Sequence, residues 1–184
     1  MRVLGIDPGS ETTGWGIVEG DARTYRAIEY GTIKANPRER FAARLLKISD
    51  GVDALLARFR PDVCSVEEAF FAVNVKTALK LGQVRGVILV AAERAGVEIA
   101  EYAPRLVKQT VVGYGAAEKH QVQEMVRVLL RLASIPQPHD ASDALALAIC
   151  HFHHGGLAAR TKPTAARSTL DALLAANPRR RAPR

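Results

Sequence analysis

The stretch Val3-Leu4-Gly5-Ile6-Asp7-Pro8-Gly9-Ser10 decides how the chain is read. Apolar and small residues run straight into an aspartate and then a Pro-Gly turn, the order of a short buried strand that ends in a carboxylate. Asp is rarely buried unless something compensates its charge, so a carboxylate at a strand mouth, beside so small a turn, points to a cation rather than to packing. Working outward, Thr13 to Glu19 alternates small, aromatic and apolar residues and reads as a second strand, antiparallel to the first. Gly20-Asp21 supplies a turn, and Tyr25 to Ile33 reads as the third strand of the same meander.

The segment from Arg38 to Phe59 changes period. Phe41, Leu45, Ile48, Val52, Leu55 and Leu56 recur at helical spacing, and Pro61 stands just past the end. Asp62 to Glu67 is again a short apolar strand that ends in a carboxylate. Because it follows a helix, it is expected to return parallel to the first strand by a right-handed crossover. Glu67 then lies at the same sheet edge as Asp7, and ligand sites in such sheets gather at the carboxyl ends of strands. Beyond it the pattern gives a helix from Val75 to Ala95, a strand from Val97 to Tyr102, a short helix from Pro104 to Val112 and an amphipathic helix from Glu118 to Leu132. Asp140 opens a last helix at its N-cap or first turn, and Asp143 falls one turn on, on the same face. Gly82 and Gly86, four apart on the Val75 to Ala95 helix, leave a face that another backbone can approach, either the sheet or a second subunit.

Composition sets the wider limits. With 184 residues, 48% hydrophobic and 24% charged, the chain fits one globular domain with a sizeable core. No apolar run nears the roughly 20 residues of a membrane span, and the N-terminus enters the first strand without a signal peptide. Cys64 and Cys150 sit in apolar contexts without metal-like spacing and read as reduced core thiols of a cytoplasmic protein. The net charge of +7 suggests nucleic acid, but its location weakens the point. From Gly155 onward seven basic residues face Asp171 alone, which leaves 19 basic and 18 acidic residues in 1–154. A folded domain over 1–154 and a flexible basic tail over 155–184 are expected, so an argument for DNA has to rest on local clusters. Arg105, Lys108, Lys119 and His120 make one such cluster; Lys76, Lys80 and Arg85 make another on the helix after Phe70. Solvated helix faces are the ordinary reading of both, but their place downstream of two carboxylate-ended strands favours phosphate contact.

Asp7, Glu67, Asp140 and Asp143 have ordinary roles one at a time: a turn cap, a lysine's partner, a helix cap, an exposed polar position. Together, uncompensated, they would repel and raise one another's pKa values. Divalent cations relieve that repulsion, and an all-oxygen set suits Mg²⁺ or Mn²⁺. Two such ions roughly 4 Å apart activate a water and stabilise the leaving oxygen in phosphodiester cleavage.

On the stretches GIDPGS (5–10), VEEAF (66–70), ALKLGQVRG (78–86), VKQTVVGYG (107–115), AEKHQVQ (117–123) and DASDALALA (140–148), the chain resembles the RuvC-type Holliday junction resolvases. The resemblance implies an α/β, ribonuclease H-like fold: a five-stranded mixed sheet, an antiparallel three-strand meander plus parallel strands, flanked by helices. It implies that Asp7, Glu67, Asp140 and Asp143 are catalytic ligands of two Mg²⁺ per site, with Mn²⁺ as a substitute, and that Lys108 and Lys119 contact the scissile strand and aid catalysis. Phe70 falls on an aromatic that stacks near the crossover. Lys76, Lys80, Arg85 and Arg105 join the expected DNA contacts. A homodimer would nick two opposed strands of a four-way junction in DNA recombination and repair, leave 5′-phosphate ends, and work with a branch-migration helicase complex of the RuvA and RuvB type. The alternative is a catalytically inactive junction- or RNA-binding relative, against which the complete acidic set argues. A phosphate loop of an actin-like ATPase is excluded on size, since such proteins close two related domains around the nucleotide.

Overall fold

The structure, a computed structural model, describes residues 1–68 and 74–158. β1 (Arg2–Asp7), β2 (Thr12–Gly20) and β3 (Tyr25–Lys34) form the antiparallel meander. The chain then alternates through α1 (Phe41–Phe59), β4 (Val63–Glu67), α2 (Val75–Arg94) and β5 (Glu98–Tyr102) before α3 (Pro104–Val112), α4 (Lys119–Leu129) and α5 (His139–Ala158). The strands lie in the order β3-β2-β1-β4-β5, with β4 parallel to β1 and β5 parallel to β4. This is the mixed five-stranded sheet that the sequence predicts, with Ile6 opposite Val66 in register. The ends of β1 and β4 therefore lie side by side.

The two-residue period of the strands sorts their side chains between two helical layers. Leu4, Ile6, Cys64 and Val66 pack against α1 and α2 with Ile48, Val52, Val84 and Ile88. Val3, Val18 and Tyr102 face the other layer, with Leu145, Ile149, Val107 and Val126 from α5, α3 and α4. Asp7 and Glu67 continue the second set, so both carboxylates are on the α5 side of the sheet. Two glycines set how close α5 comes. A Cβ at Gly5 would lie 1.9 Å from the Ala144 carbonyl oxygen, and one at Gly14 would lie 1.9 Å from that of Asp140. Ser65, buried at the centre of β4, donates its hydroxyl to the Leu147 carbonyl at 2.8 Å. Leu145 and Ile149 are fully buried, each worth about 1.5–3 kcal/mol of hydrophobic stabilisation.

Three element ends differ from expectation by three residues or more. α1 starts at Phe41 rather than near Arg38, after a turn in which Asn36 accepts from the Arg38 amide at 3.0 Å. α4 stops at Leu129, short of Leu132. Arg131 takes a left-handed φ of 53°, and the Leu132 amide donates back to the Arg127 carbonyl at 2.9 Å, closing the helix end while Leu130 stays buried. α5 continues through Ala158, past the expected end of the folded unit at residue 154. The remainder of the expected basic tail, 159–184, lies outside the described residues, as does Phe70. Cys64 and Cys150 are buried free thiols, as expected. No described helix is long and apolar enough to cross a membrane.

Candidate active site

The site is assembled from three places in the chain that the sheet and α5 bring together. Asp7 ends β1, and the turn behind it is held from both sides. Thr13 donates its hydroxyl to the Gly9 carbonyl at 2.8 Å, and the buried guanidinium of Arg44, from α1, donates to the Ser10 carbonyl. Glu67 ends the neighbouring parallel strand. Asp140 and Asp143 sit in the first turns of α5, where the close approach over Gly14 places them against the strand ends. Asp7, Glu67 and Asp143 line one cavity of about 330 Å³, together with Lys108 of α3 and Lys119 of α4. Asp140 is beside this cavity rather than on its wall, but its charge still acts on Asp7.

The electrostatics follow from that crowding. Burial, then the charges of Asp143, Glu67 and Asp140, push the Asp7 carboxyl up to about 8, with Lys119 pulling the other way. Glu67 is raised by burial and by Asp143, against the opposing pull of Lys108 and Lys119. Lys119 Nζ lies 2.6 Å from an Asp143 carboxylate oxygen. Burial works to lower the Lys119 pKa, but the bond and charge of Asp143, followed by Asp7 and Asp140, outweigh it and raise it. The full convergence of acidic oxygens expected from sequence is not preassembled. Among the described residues no three acidic, His or Cys side chains form a ready cation cage, and the Lys119 ammonium supplies positive charge to the cluster. The donor set nevertheless fits a hard divalent cation: all its ligating atoms are carboxylate oxygens, and burial together with mutual repulsion disfavours the ionised form of Asp7 and Glu67 despite the two lysines.

The other expected contact residues are less uniform. Lys76 and Arg105 are exposed, and neither lines the cavity. Lys80 places its ammonium 5.8 Å from the centre of the Phe41 ring, toward α1. Arg85 departs most from the expectation of a free DNA contact. Its guanidinium is turned inward, with Nε donating to the Glu67 backbone carbonyl at 3.1 Å and the terminal nitrogen bonded to Glu101. Sequence reasoning missed Arg44, Gly5 and Gly14, although a glycine at the centre of β1 is a known sign of close backbone approach.

A mixed sheet with acidic residues at adjacent strand ends, capped by a helix that adds two more, defines a nuclease of the ribonuclease H-like class. Residues 3–151 match the family model for crossover junction endodeoxyribonuclease RuvC. Crossover junction endodeoxyribonucleases RuvC from Chloroflexus aggregans and Syntrophomonas wolfei are 50% and 52% identical over 153 residues, which cover 83% of this chain and 93% and 89% of theirs. The structure of Thermus thermophilus RuvC in complex with a Holliday junction substrate superposes with a TM-score of 0.81 at 39% identity, over 86% of this chain and 96% of that one. The chain belongs to the RuvC family of crossover junction endodeoxyribonucleases.

Proposed function

We propose that the chain is a cation-dependent endonuclease that resolves Holliday junctions by paired nicking of opposed strands, with Asp7, Glu67, Asp140 and Asp143 as its acidic ligands. The observation that carries this reading is the shared cavity, lined by three of those carboxylates together with Lys108 and Lys119. The four acids would hold the divalent cations, two Mg²⁺ or Mn²⁺ per site. When bound, such ions supply Lewis-acid activation of water and neutralise charge on the leaving oxygen. The chain's own groups do the rest. Lys108 and Lys119 attract the scissile phosphate and offset the charge that builds on it, and the arrival of that phosphate gives Lys119 a competing partner to Asp143. Cleavage on this plan leaves 5′-phosphate and 3′-hydroxyl ends. Lys76, Lys80 and Arg105 extend the proposed DNA surface beyond the cavity, and Phe70 is proposed, on family membership, as the aromatic that stacks on a base near the crossover. A branch-migration helicase of the RuvA and RuvB type belongs to the same proposal and rests on family membership.

The test is direct. A four-way junction labelled on each strand, incubated with the protein and Mg²⁺, is expected to yield symmetric nicks on two opposed strands, while a linear duplex of the same sequence stays intact. Junction binding without nicking in either Mg²⁺ or Mn²⁺ would instead establish the inactive relative.

Two opposed strands call for two sites, which a C2 dimer supplies. The unpartnered face of α2 supports one. Val75 is 72% exposed, Leu79 66% and Val90 55%, and they share that face with Gly82 and Gly86, where an added Cβ would meet none of the described residues within 4 Å. Spacings of three and four residues make this a continuous apolar stripe with room for a close helix–helix approach. Leu79→Glu, which puts a charge at its middle, is expected to convert a dimer to a monomer in sedimentation analysis. It should also replace paired nicking by slow single nicks; an unchanged sedimentation coefficient would remove this face from the interface.

A further inference from the structure

We propose that Arg85 is a positioning residue that fixes the end of β4, and with it the carboxylate of Glu67, from the side of the sheet opposite the active site. The inference rests on the reading of Glu67 as a cation ligand and adds to it a residue that touches neither cation nor DNA.

The alternation of side chains along the strands sets up the arrangement. Glu67 points to the α5 layer, where the cavity is. Glu101, one residue before the Tyr102 that pairs with Glu67, points the opposite way, toward α2. Arg85 of α2 spans the two. Its Nε donates to the Glu67 carbonyl at 3.1 Å, and its terminal nitrogen is bonded to the Glu101 carboxylate. The guanidinium is thus used as a fork, one prong on the backbone of the ligand residue and the other on a carboxylate that holds the fork in place. Its side chain is only 18% exposed.

This position is where the strand needs holding. The β4–β5 ladder ends at Glu67 and Tyr102, and among the described residues the last tie beyond it is the Glu68 amide donating to the Tyr102 carbonyl at 2.9 Å. A strand end with few remaining ladder bonds swings easily, and Glu67 is repelled by Asp143, which lines the same cavity. A charge-assisted bond to the Glu67 carbonyl opposes that swing. Arg85 also adjoins Gly86 on the helix whose exposed stripe is proposed to meet a second copy, so the same side chain ties that face to the site.

The test separates positioning from DNA contact, the role its charge and place first suggest. Arg85→Met, Arg85→Lys and Glu101→Gln are compared with the parent chain. The measurements are junction binding without divalent cation across a salt series, and the single-turnover rate of cutting at saturating junction. Positioning predicts that Arg85→Met slows cutting by about 10- to 100-fold, the cost of a site displaced by ångströms, with junction Kd and its salt slope unchanged. It predicts that Arg85→Lys recovers part of the rate, because one ammonium reaches one of the two acceptors. It also predicts that Glu101→Gln slows cutting in the same direction without changing binding. A DNA contact predicts the reverse pattern: Arg85→Met weakens binding and lowers the salt slope by about one, and Glu101→Gln, by releasing the guanidinium, tightens binding. That pattern overturns the proposal, as does full-rate cutting by Arg85→Met. Should Arg85→Met fail to fold, Arg85→Lys and Glu101→Gln decide the question by the same two measurements. Glu67→Gln, run alongside, tells the two failures apart: if it cuts normally, the assignment of Glu67 is wrong whatever Arg85 does.

Discussion

Asp7→Asn is expected to reduce cutting by roughly a thousandfold or more while junction binding stays within a few-fold, and to make the cation-free protein more stable. The two effects have one cause. Asp7 is held where burial and three neighbouring acids oppose its ionisation, so that its carboxyl is raised from 3.8 to about 8. The sign follows from proton counting. Below about 4 the folded and unfolded chains both carry the proton, and the group contributes nothing. Between there and about 8 the unfolded chain has lost its proton while the folded chain keeps it, so stability falls steadily as pH rises through this window. The whole shift would correspond to about 6 kcal/mol; water entry and side-chain relaxation bring the expected penalty to about 1–3 kcal/mol, or some 3–10 °C in Tm for a domain of this size. Asn keeps the shape and cannot ionise. In EDTA at pH 8 the variant is therefore expected to melt above the parent chain, with the gap shrinking toward pH 4.5. Adding Mg²⁺ should raise the melting point of the parent and leave Asp7→Asn nearly where it was. Equal melting at pH 8, or retained cutting, would show that Asp7 is not the strained centre of the site.

That strain was legible in the sequence, because an aspartate at the mouth of an apolar strand is an anomaly wherever it occurs. Nearly all of the sheet was legible for the same kind of reason. β1 and β4 are short runs of apolar residues whose period and flanking turns leave little choice, and the helix between them forces the parallel pairing that sets Asp7 beside Glu67. Asp140 and Asp143 were legible from spacing as a pair on one face of the last helix, and Asp140 stands at the margin of the cavity; their reading as ligands came from the family resemblance. What escaped were contacts made across the sheet. Arg85 looks, in sequence, like any cation on an amphipathic helix; its inward turn depends on Glu101 and on the Glu67 carbonyl, neither of which helical periodicity can indicate. Arg44 was hidden in the same way, since its partner is a backbone oxygen in a turn remote in sequence. Gly82 and Gly86 were noticed as a place of close approach, but none of the described residues approaches them. The glycines that admit the backbone of α5 are Gly5 and Gly14, inside strands.

Gly14→Ala should therefore damage the site more than its size suggests. The new Cβ would lie 1.9 Å from the Asp140 carbonyl oxygen, 2.4 Å from its carbon and 3.0 Å from its Cβ. A flexible side chain could swing away from such a contact, but the first turn of α5 cannot. Relief requires the helix start to lift from β2, and the two residues that move first are Asp140 and, one turn on, Asp143. The overpacking is expected to cost about 1–3 kcal/mol, lowering Tm by some 3–10 °C. Displacement of the acids by about an ångström is expected to slow cutting by roughly a hundredfold in protein that is still folded. The Mg²⁺ concentration for half-maximal rate should rise with it, because the site is spread rather than removed. Gly5→Ala meets the Ala144 carbonyl at the same 1.9 Å but farther along α5, so its loss of stability should be at least as large and its effect on the Mg²⁺ requirement smaller. Gly86→Ala is the control for the substitution itself: with open space around it, a helical alanine should stabilise the isolated protomer by about 0.5–1 kcal/mol. If Gly14→Ala melts and cuts like the parent chain, α5 does not rest on β2 at this point, and the placement of Asp140 and Asp143 against the strand ends loses its physical basis.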